Sequence, residues 1–129
     1  AMAFQKGLGC VHSLSHSLGG INPGLHHGTL NAIFLPAVIA FNASAESIVK
    51  EKRLERMART MGLASQDAIG AATKDMSQRL GLPTGLAALG VKEAQFEAII
   101  DGAMADHCHK TNPRLATRDD YRTMLLQSM

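Results

Sequence analysis

The sequence predicts an all-α protein that forms a single domain. Aromatic residues make up only 4% of the 129 residues and tryptophan is absent, whereas helix-forming Ala, Leu and Met are abundant. Apolar residues recur at helical spacing in several segments, and strand-like runs are scarce. Because a chain of this length buries one core of ordinary size, we expect residues 1–129 to form one domain of about six helices.

The first two predicted helices flank a short loop. Residues 1–18 are expected to be helical and to end at Gly19 and Gly20, since glycine readily adopts the left-handed conformation that caps a helix. Residues 21–25 carry loop-forming residues. A long apolar helix is predicted from about His27. Pro36 lies inside it and predicts a kink, because proline removes one backbone donor.

Two amphipathic helices are predicted next. Residues 44–62 have charged residues on one side. The other side carries residues at helical spacing that are expected to face the core, namely Leu54, Met57, Ala58 and Met61. The following helix is expected to begin near Ser65, a plausible N-cap, and to stop at Gly81. Its predicted buried residues are Ile69, Ala72, Met76 and Leu80.

The last two predicted helices lie on either side of Asn112 and Pro113. Residues 92–107 place one apolar stripe toward the core, made of Phe96, Ile99, Ile100, Ala103 and Met104. Thr117, with Asp120 three residues later, predicts a capping box at the start of the final helix.

Composition argues against several classes of protein. The formal net charge of +2 is too small to indicate a nucleic-acid surface. No segment reaches the roughly 20 apolar residues that a membrane span requires, and the N-terminus lacks the pattern of a signal peptide. Cys10 and Cys108 do not suggest a disulfide framework, so a cytoplasmic protein is expected.

Four histidines near the N-terminus indicate a metal site. His12 and His16 are four residues apart and therefore share one face of a helix, and His26 and His27 follow after the loop. Neutral imidazole binds zinc, iron and copper. Histidine pairs at this spacing also occur as ordinary hydrogen-bonded residues, so the pair alone is weak support. A further histidine next to a glycine at the start of a buried helix, as His27 is, favours the metal site.

A second polar group, residues 106–109, contains Asp106, His107, Cys108 and His109. Adjacent residues on a helix point in different directions and rarely bind one ion together, so we expect these to be polar residues at a helix end. Alternatively, His107 or His109 lines a substrate cleft.

Three motifs in sequence order resemble the iron-containing (group III) alcohol dehydrogenases. The first contains Gly9, His12, His16 and Gly19; the second His27, Gly28, Asn31, Ala32, Leu35 and Pro36; and the third Asp106, Cys108, Asn112, Pro113, Arg114 and Thr117. The resemblance covers essentially the whole chain. It implies a helical C-terminal domain that is paired, in the complete enzyme, with an N-terminal domain that binds NAD(P).

The resemblance also implies roles for three histidines. His12 and His27 would be metal ligands for Fe²⁺ or Zn²⁺, with an Asp and a His supplied by the N-terminal domain. His16 would lie between the metal and the nicotinamide, as a catalytic and cofactor-contacting residue; the alternative is a packing or hydrogen-bonding role for His16. The implied reaction is reversible hydride transfer between a small alcohol and its aldehyde or ketone. His26 stands where the family commonly has proline, so His26 remains an alternative to His27 as ligand.

The sequence has no glycine-rich phosphate-binding turn after a strand. The nucleotide-binding domain is therefore expected to lie outside this chain, which alone should be inactive. The alternative is a stand-alone helical metal-binding or interaction module without catalytic activity. Because the face that would meet the absent domain should expose apolar surface, we expect the chain to form a homo-oligomer.

Overall fold

A computed structural model describes residues 7–129, and every regular element in that range is helical. The seven α-helices are α1 (Cys10–Ile21), α2 (His27–Asn42), α3 (Glu46–Lys50), α4 (Arg53–Thr60), α5 (Ile69–Arg79), α6 (Phe96–Ala105) and α7 (Arg118–Gln127). Short 3₁₀ helices span Gln66–Ala68, Ala87–Leu89, Glu93–Gln95 and His107–Thr111. The all-α prediction is confirmed. No helix among these residues is long and apolar enough to cross a membrane.

The main core lies around α1, which packs against both α6 and α2. Helix α2 also contacts α5 and α7. The fully buried side chains of this core include Leu14, Leu18, Leu30, Phe34, Phe96, Ile99, Tyr121 and Leu125. A smaller cluster contains Leu54, Ala58 and Ile69. This packing fixes α1 and α2 side by side, which positions the histidines that they carry.

Helix α1 ends later than the glycines predict. It continues through Gly19 and Gly20 to Ile21, and neither glycine has a positive φ. The helix stops at Asn22, whose N–H donates to the carbonyl of Leu18. The cause is the proline that follows, because the residue before proline is driven out of the helical region. The predicted helical residues 1–6 lie outside the described range.

The segment predicted as one helix over residues 44–62 forms two helices. Lys52, between α3 and α4, has a φ of 50°, in the left-handed region, and this breaks the helix. Leu54 and Ala58 of α4 are buried as predicted, but Met57 and Met61 are 44% and 40% exposed. Only a narrow face of this short helix contacts the core, so burial of the two methionines was wrongly predicted.

Helix α5 turns a different stripe inward from the one its apolar residues predict. Ile69 is buried as expected, but Met76 and Leu80 are exposed. Thr73 and Ser77 are buried instead, one and two turns beyond Ile69. Their hydroxyls donate to backbone carbonyls of their own helix, which removes the cost of burying them. Hydrogen bonding therefore permits a polar stripe where hydrophobicity alone predicts an apolar one.

The final helices follow the prediction closely. On α6, four of the five predicted stripe residues are buried and Met104 is half-buried. Helix α7 begins with the predicted capping box: the Thr117 hydroxyl accepts from the N–H of Asp120, and the Asp120 carboxylate accepts from the N–H of Thr117 at 2.8 Å. Side-chain capping thus sets the start of α7 locally.

Candidate metal centre

Three imidazole rings converge where α1 lies beside the start of α2. The ring centroids of His12 and His16 are 5.6 Å apart, as residues four apart on a helix allow. The ring of His27, the first residue of α2, lies 5.3 Å from that of His12 and 5.1 Å from that of His16. The fold therefore brings together three of the four histidines that the sequence singles out.

The ring of His27 is tied to α1 through two side chains. Nδ2 of Asn31 lies 3.0 Å from Nε2 of His27, and the Ser15 hydroxyl donates to Oδ1 of Asn31 at 2.6 Å. One turn of α2 separates Asn31 from His27, and Ser15 lies on α1. An amide hydrogen donated to Nε2 engages its lone pair, so a metal ion on that nitrogen would displace the amide of Asn31.

His26 is directed differently from His27. It occupies the N-cap position of α2 and turns its ring back over Gly28, where a Cβ on the glycine would lie 3.1 Å from Cε1 of His26. Within residues 7–129, the histidine ring contacts of the cluster involve His12, His16 and His27 but not His26. The ring of His27, rather than that of His26, therefore lies beside the rings of His12 and His16.

The electrostatic environment keeps His12 neutral. Burial lowers the pKa of His12, and the nearby imidazoles of His27 and His16 lower it further. A neutral imidazole presents a lone pair, which metal coordination requires. His12 is therefore prepared to act as a ligand near neutral pH.

A carboxylate, that of Asp106, orients His16. Oδ2 of Asp106 lies 3.0 Å from Nδ1 of His16, while Oδ1 accepts the N–H of Cys108 at 2.7 Å. Burial acts to raise the pKa of Asp106, but the bonds from Cys108 and His16 outweigh it and lower the pKa overall. A carboxylate that accepts from Nδ1 fixes the proton there and leaves Nε2 of His16 available.

The sequence did not predict the contact between Asp106 and His16, because residues 106–109 were expected to be polar residues at a helix end. Helix α6 ends at Ala105, and Asp106 is extended backbone that caps the 3₁₀ helix His107–Thr111. One local signal was available. An Asp side chain often accepts a hydrogen bond from the backbone N–H two residues later and so forms an Asx turn.

The other residues of this segment divide between site and core. His107 is exposed, and its ring centroid lies 6.1 Å from that of His16. His109 is buried, with Nδ1 3.0 Å from the hydroxyl of Tyr121, so its ring packs among the core residues. Burial and the adjacent Asp106 raise the pKa of Cys108 to about 11, which keeps its thiol protonated at neutral pH.

An open groove of about 540 Å³ runs along α1 and α2 from His12. Its apolar lining includes Val11, Ala32, Leu35, Val38 and Ile39, and its polar lining includes Asn31, Asn42, Arg53 and Asn112. A small organic molecule fits this volume. The groove thus places an apolar binding surface next to the imidazole cluster.

Comparison with known proteins places these features in a family. Residues 1–129 match the family described as Fe-containing alcohol dehydrogenase, C-terminal. The chain is 58% identical over 133 residues to the 4-hydroxybutyrate dehydrogenase of Cupriavidus necator, a match that covers 100% of this chain and 35% of that protein. It is 34% identical over 140 residues to the NAD-dependent methanol dehydrogenase of Bacillus methanolicus, covering 99% of this chain and 35% of that protein.

A solved structure shares the fold. The alcohol dehydrogenase from Oenococcus oeni superposes with a TM-score of 0.85 at 27% identity, covering 95% of this chain and 33% of that one. The chain therefore spans about a third of the length of the relatives that it matches.

Proposed function

The chain belongs to the Fe-containing alcohol dehydrogenase family, and we propose that it is the metal-binding helical domain of an NAD(P)-dependent alcohol dehydrogenase. Together with an N-terminal dinucleotide-binding domain, it would transfer hydride between a small alcohol and NAD(P). The observation that carries this proposal is the convergence of His12, His16 and His27 beside an apolar groove. The chain covers only about a third of each relative's length, which supports a further domain in the complete enzyme.

His12 and His27 fit one metal ion. A metal–nitrogen bond of about 2.1 Å puts each ring centroid about 3.2 Å from the ion, so two rings on one ion lie about 4.5–5.2 Å apart. The centroids of His12 and His27 are 5.3 Å apart, close to that range, and those of His16 and His27, at 5.1 Å, lie within it. The choice of His12 and His27 as the ligand pair therefore rests on the match of these two positions to the family motifs. Two imidazoles suit Fe²⁺ or Zn²⁺, and the other protein ligands would come from the N-terminal domain. When bound, the metal acts as a Lewis acid toward the alcohol oxygen.

We propose that His16 contacts the groups that react, the nicotinamide and the substrate. Asp106 holds its Nδ1 proton, so Nε2 is free to contact the nicotinamide, orient the substrate or accept a proton. Its ring lies 5.1 Å from that of His27 and 5.6 Å from that of His12, which puts it beside the ligand pair. We therefore propose a catalytic and cofactor-contacting role for His16.

The substrate that we propose to test first is a short ω-hydroxy acid. The 58% identity with a protein named 4-hydroxybutyrate dehydrogenase supports this class. Arg53 lines the same groove as His12 and is paired with Glu51 at 2.9 Å. A substrate carboxylate in the groove could exchange with that of Glu51. The two free thiols support a reducing compartment, so we propose a cytoplasmic enzyme.

The test is a chimera in which this chain replaces the matching part of the Cupriavidus necator 4-hydroxybutyrate dehydrogenase. We expect NAD⁺ reduction with 4-hydroxybutyrate, reduced at least 100-fold in kcat/KM by His12→Ala and by His27→Ala. His26→Ala is the matched control and should retain activity within about threefold. A folded, NAD⁺-binding chimera without activity would overturn the proposal and favour the stand-alone module.

A further inference from the structure

A second group of metal-ligating side chains lies beside the imidazole cluster and shares His16 with it. Nδ1 of His16 lies 3.0 Å from Oδ2 of Asp106, and one ligand atom each from His16, Asp106 and Cys108 lies within 4.8 Å of the others. Ligand atoms around tetrahedral zinc are about 3.3–3.7 Å apart, as bonds of about 2.0–2.3 Å dictate. To hold one ion, the atoms of His16 and Asp106 would therefore move apart by less than about 1 Å, and the most widely spaced pair would close by little more than about 1 Å.

The backbone already fixes two of these groups. Asp106 caps the 3₁₀ helix His107–Thr111, and its Oδ1 accepts the N–H of Cys108, so Oδ2 remains to face His16. The Asp106 side chain is 15% exposed and Cys108 is 1% exposed. Groups held in this way lose little conformational freedom when they bind an ion.

A fourth ligand is close to the thiol. Nε2 of His107 lies 3.3 Å from Sγ of Cys108, and Nδ1 of His107 lies 3.8 Å from Oδ1 of Asp106. The His107 side chain is 84% exposed, so its ring can turn without disturbing the core. The imidazole of His16, the carboxylate of Asp106 and the thiol of Cys108 thus offer ligand atoms within 4.8 Å of one another, and the imidazole of His107 lies within 3.8 Å of the last two.

We infer that His16, Asp106 and Cys108, completed by His107, form a second metal site that takes Zn²⁺ or a cation of similar softness. Thiolate and imidazole ligands favour Zn²⁺ or Co²⁺ over Mg²⁺ and Ca²⁺. Binding releases the thiol proton of Cys108 to solvent, and as the ion binds Nδ1 of His16 the proton held there moves through solvent to Nε2, so the imidazole stays neutral. The sulfur ligand distinguishes this site from the His12–His27 pair, and the inference does not depend on the proposed dehydrogenase activity.

Anaerobic titration of the 129-residue chain with Co²⁺ tests the site, because a thiolate bound to Co²⁺ gives a charge-transfer absorption in the near ultraviolet. We expect this band to rise to one equivalent and to vanish when Zn²⁺ displaces Co²⁺. Cys108→Ser should abolish the band. Asp106→Asn should weaken Co²⁺ binding at least tenfold, and His107→Ala should weaken it while keeping the band.

Cys10→Ser and His27→Asn are the matched controls, since neither residue belongs to the second site. Both should keep the band, and circular dichroism establishes that each variant is folded. A parent chain without the band, or a band that survives Cys108→Ser, would overturn the inference. Loss of the band in folded His27→Asn would also overturn it, because the thiolate and the first cluster would then share one site.

Discussion

Asn112 and Cys10 are joined by a hydrogen bond that spans 102 residues of the chain. The backbone N–H of Cys10, the first residue of α1, donates to Oδ1 of Asn112 at 3.0 Å. Nδ2 of Asn112 donates to Oδ1 of Asn42 at 2.7 Å and to the carbonyl of Arg114 at 2.6 Å. One buried amide thus caps the helix that carries His12 and links it to the end of α2.

Replacing Asn112 should destabilise the fold. Asn112→Ala removes a cap of α1 and leaves buried partners unsatisfied, so we expect a loss of about 2–4 kcal/mol in the free energy of unfolding. Urea denaturation followed by circular dichroism measures it. Gln78→Ala, at an exposed position of α5, is the control and should change stability by less than about 0.5 kcal/mol. Equal stability of both variants would contradict the linking role.

A close approach of α1 and α6 makes Gly102 sensitive to substitution. A Cβ at Gly102 would lie 3.0 Å from Cβ of Ser17 and closer still to its hydroxyl, which donates to the carbonyl of Ile99 at 2.7 Å. We therefore expect Gly102→Ala to cost about 1–3 kcal/mol of stability, measured by thermal and urea unfolding.

Gly20→Ala is the matched control for that substitution. Gly20 is also helical, but an added Cβ has no heavy atom within 4 Å, so alanine should stabilise the chain by about 0.5–1 kcal/mol through helix propensity. If both alanines shifted stability in the same direction, packing at Gly102 would not be the cause.

The metal-free chain should lose stability as pH falls from about 7.5 to about 5.5. Because the pKa of His12 is lower in the folded chain than the value of about 6.5 expected when unfolded, the unfolded state binds more protons in this window and stability rises with pH. The pKa of Asp106 is also lowered, but the stability that this carboxylate provides is lost only at more acidic pH, as the pH falls past its unfolded pKa of about 4. His12→Asn should flatten the dependence of Tm on pH; an unchanged slope would rule out His12 as its source.

The isolated chain should associate, because the groove beside His12 is open and Leu35 at its edge is 36% exposed. Light scattering is expected to show a dimer or larger species, and Leu35→Glu should shift it toward monomer. Leu126→Glu introduces the same charge at an exposed position outside the groove and should leave the association unchanged. A parent chain that remains monomeric at all practical concentrations would refute this prediction.

Local sequence signals predicted several of the helices. The capping box of Thr117 and Asp120 depends on residues close in sequence, and the apolar run after His27 is long enough to define α2. Lys52 shows the limit of this reasoning. Its left-handed conformation splits a continuous amphipathic pattern into α3 and α4, and no glycine or proline marks the break.

The candidate site was predictable only where it depends on residues close in sequence. The spacing of His12 and His16 follows from helical periodicity, but the contact between His16 and Asp106 joins residues 90 apart in sequence. The exposure of Met76 similarly depends on how α5 is rotated against α2. That rotation buries Thr73 and Ser77, and it is permitted because their hydroxyls donate to backbone carbonyls of the same helix. Periodicity identifies helices, but packing decides which faces meet.

The most direct test of the proposed metal centre is the iron content of the chimera, purified anaerobically and measured by elemental analysis. We predict about one iron per chain in the parent and in His26→Asn, and a loss of at least tenfold in both His12→Asn and His27→Asn. Circular dichroism of each variant excludes misfolding as the cause. Full iron content in His12→Asn or His27→Asn, or its loss in folded His26→Asn, would contradict the assignment of His12 and His27 as the ligand pair.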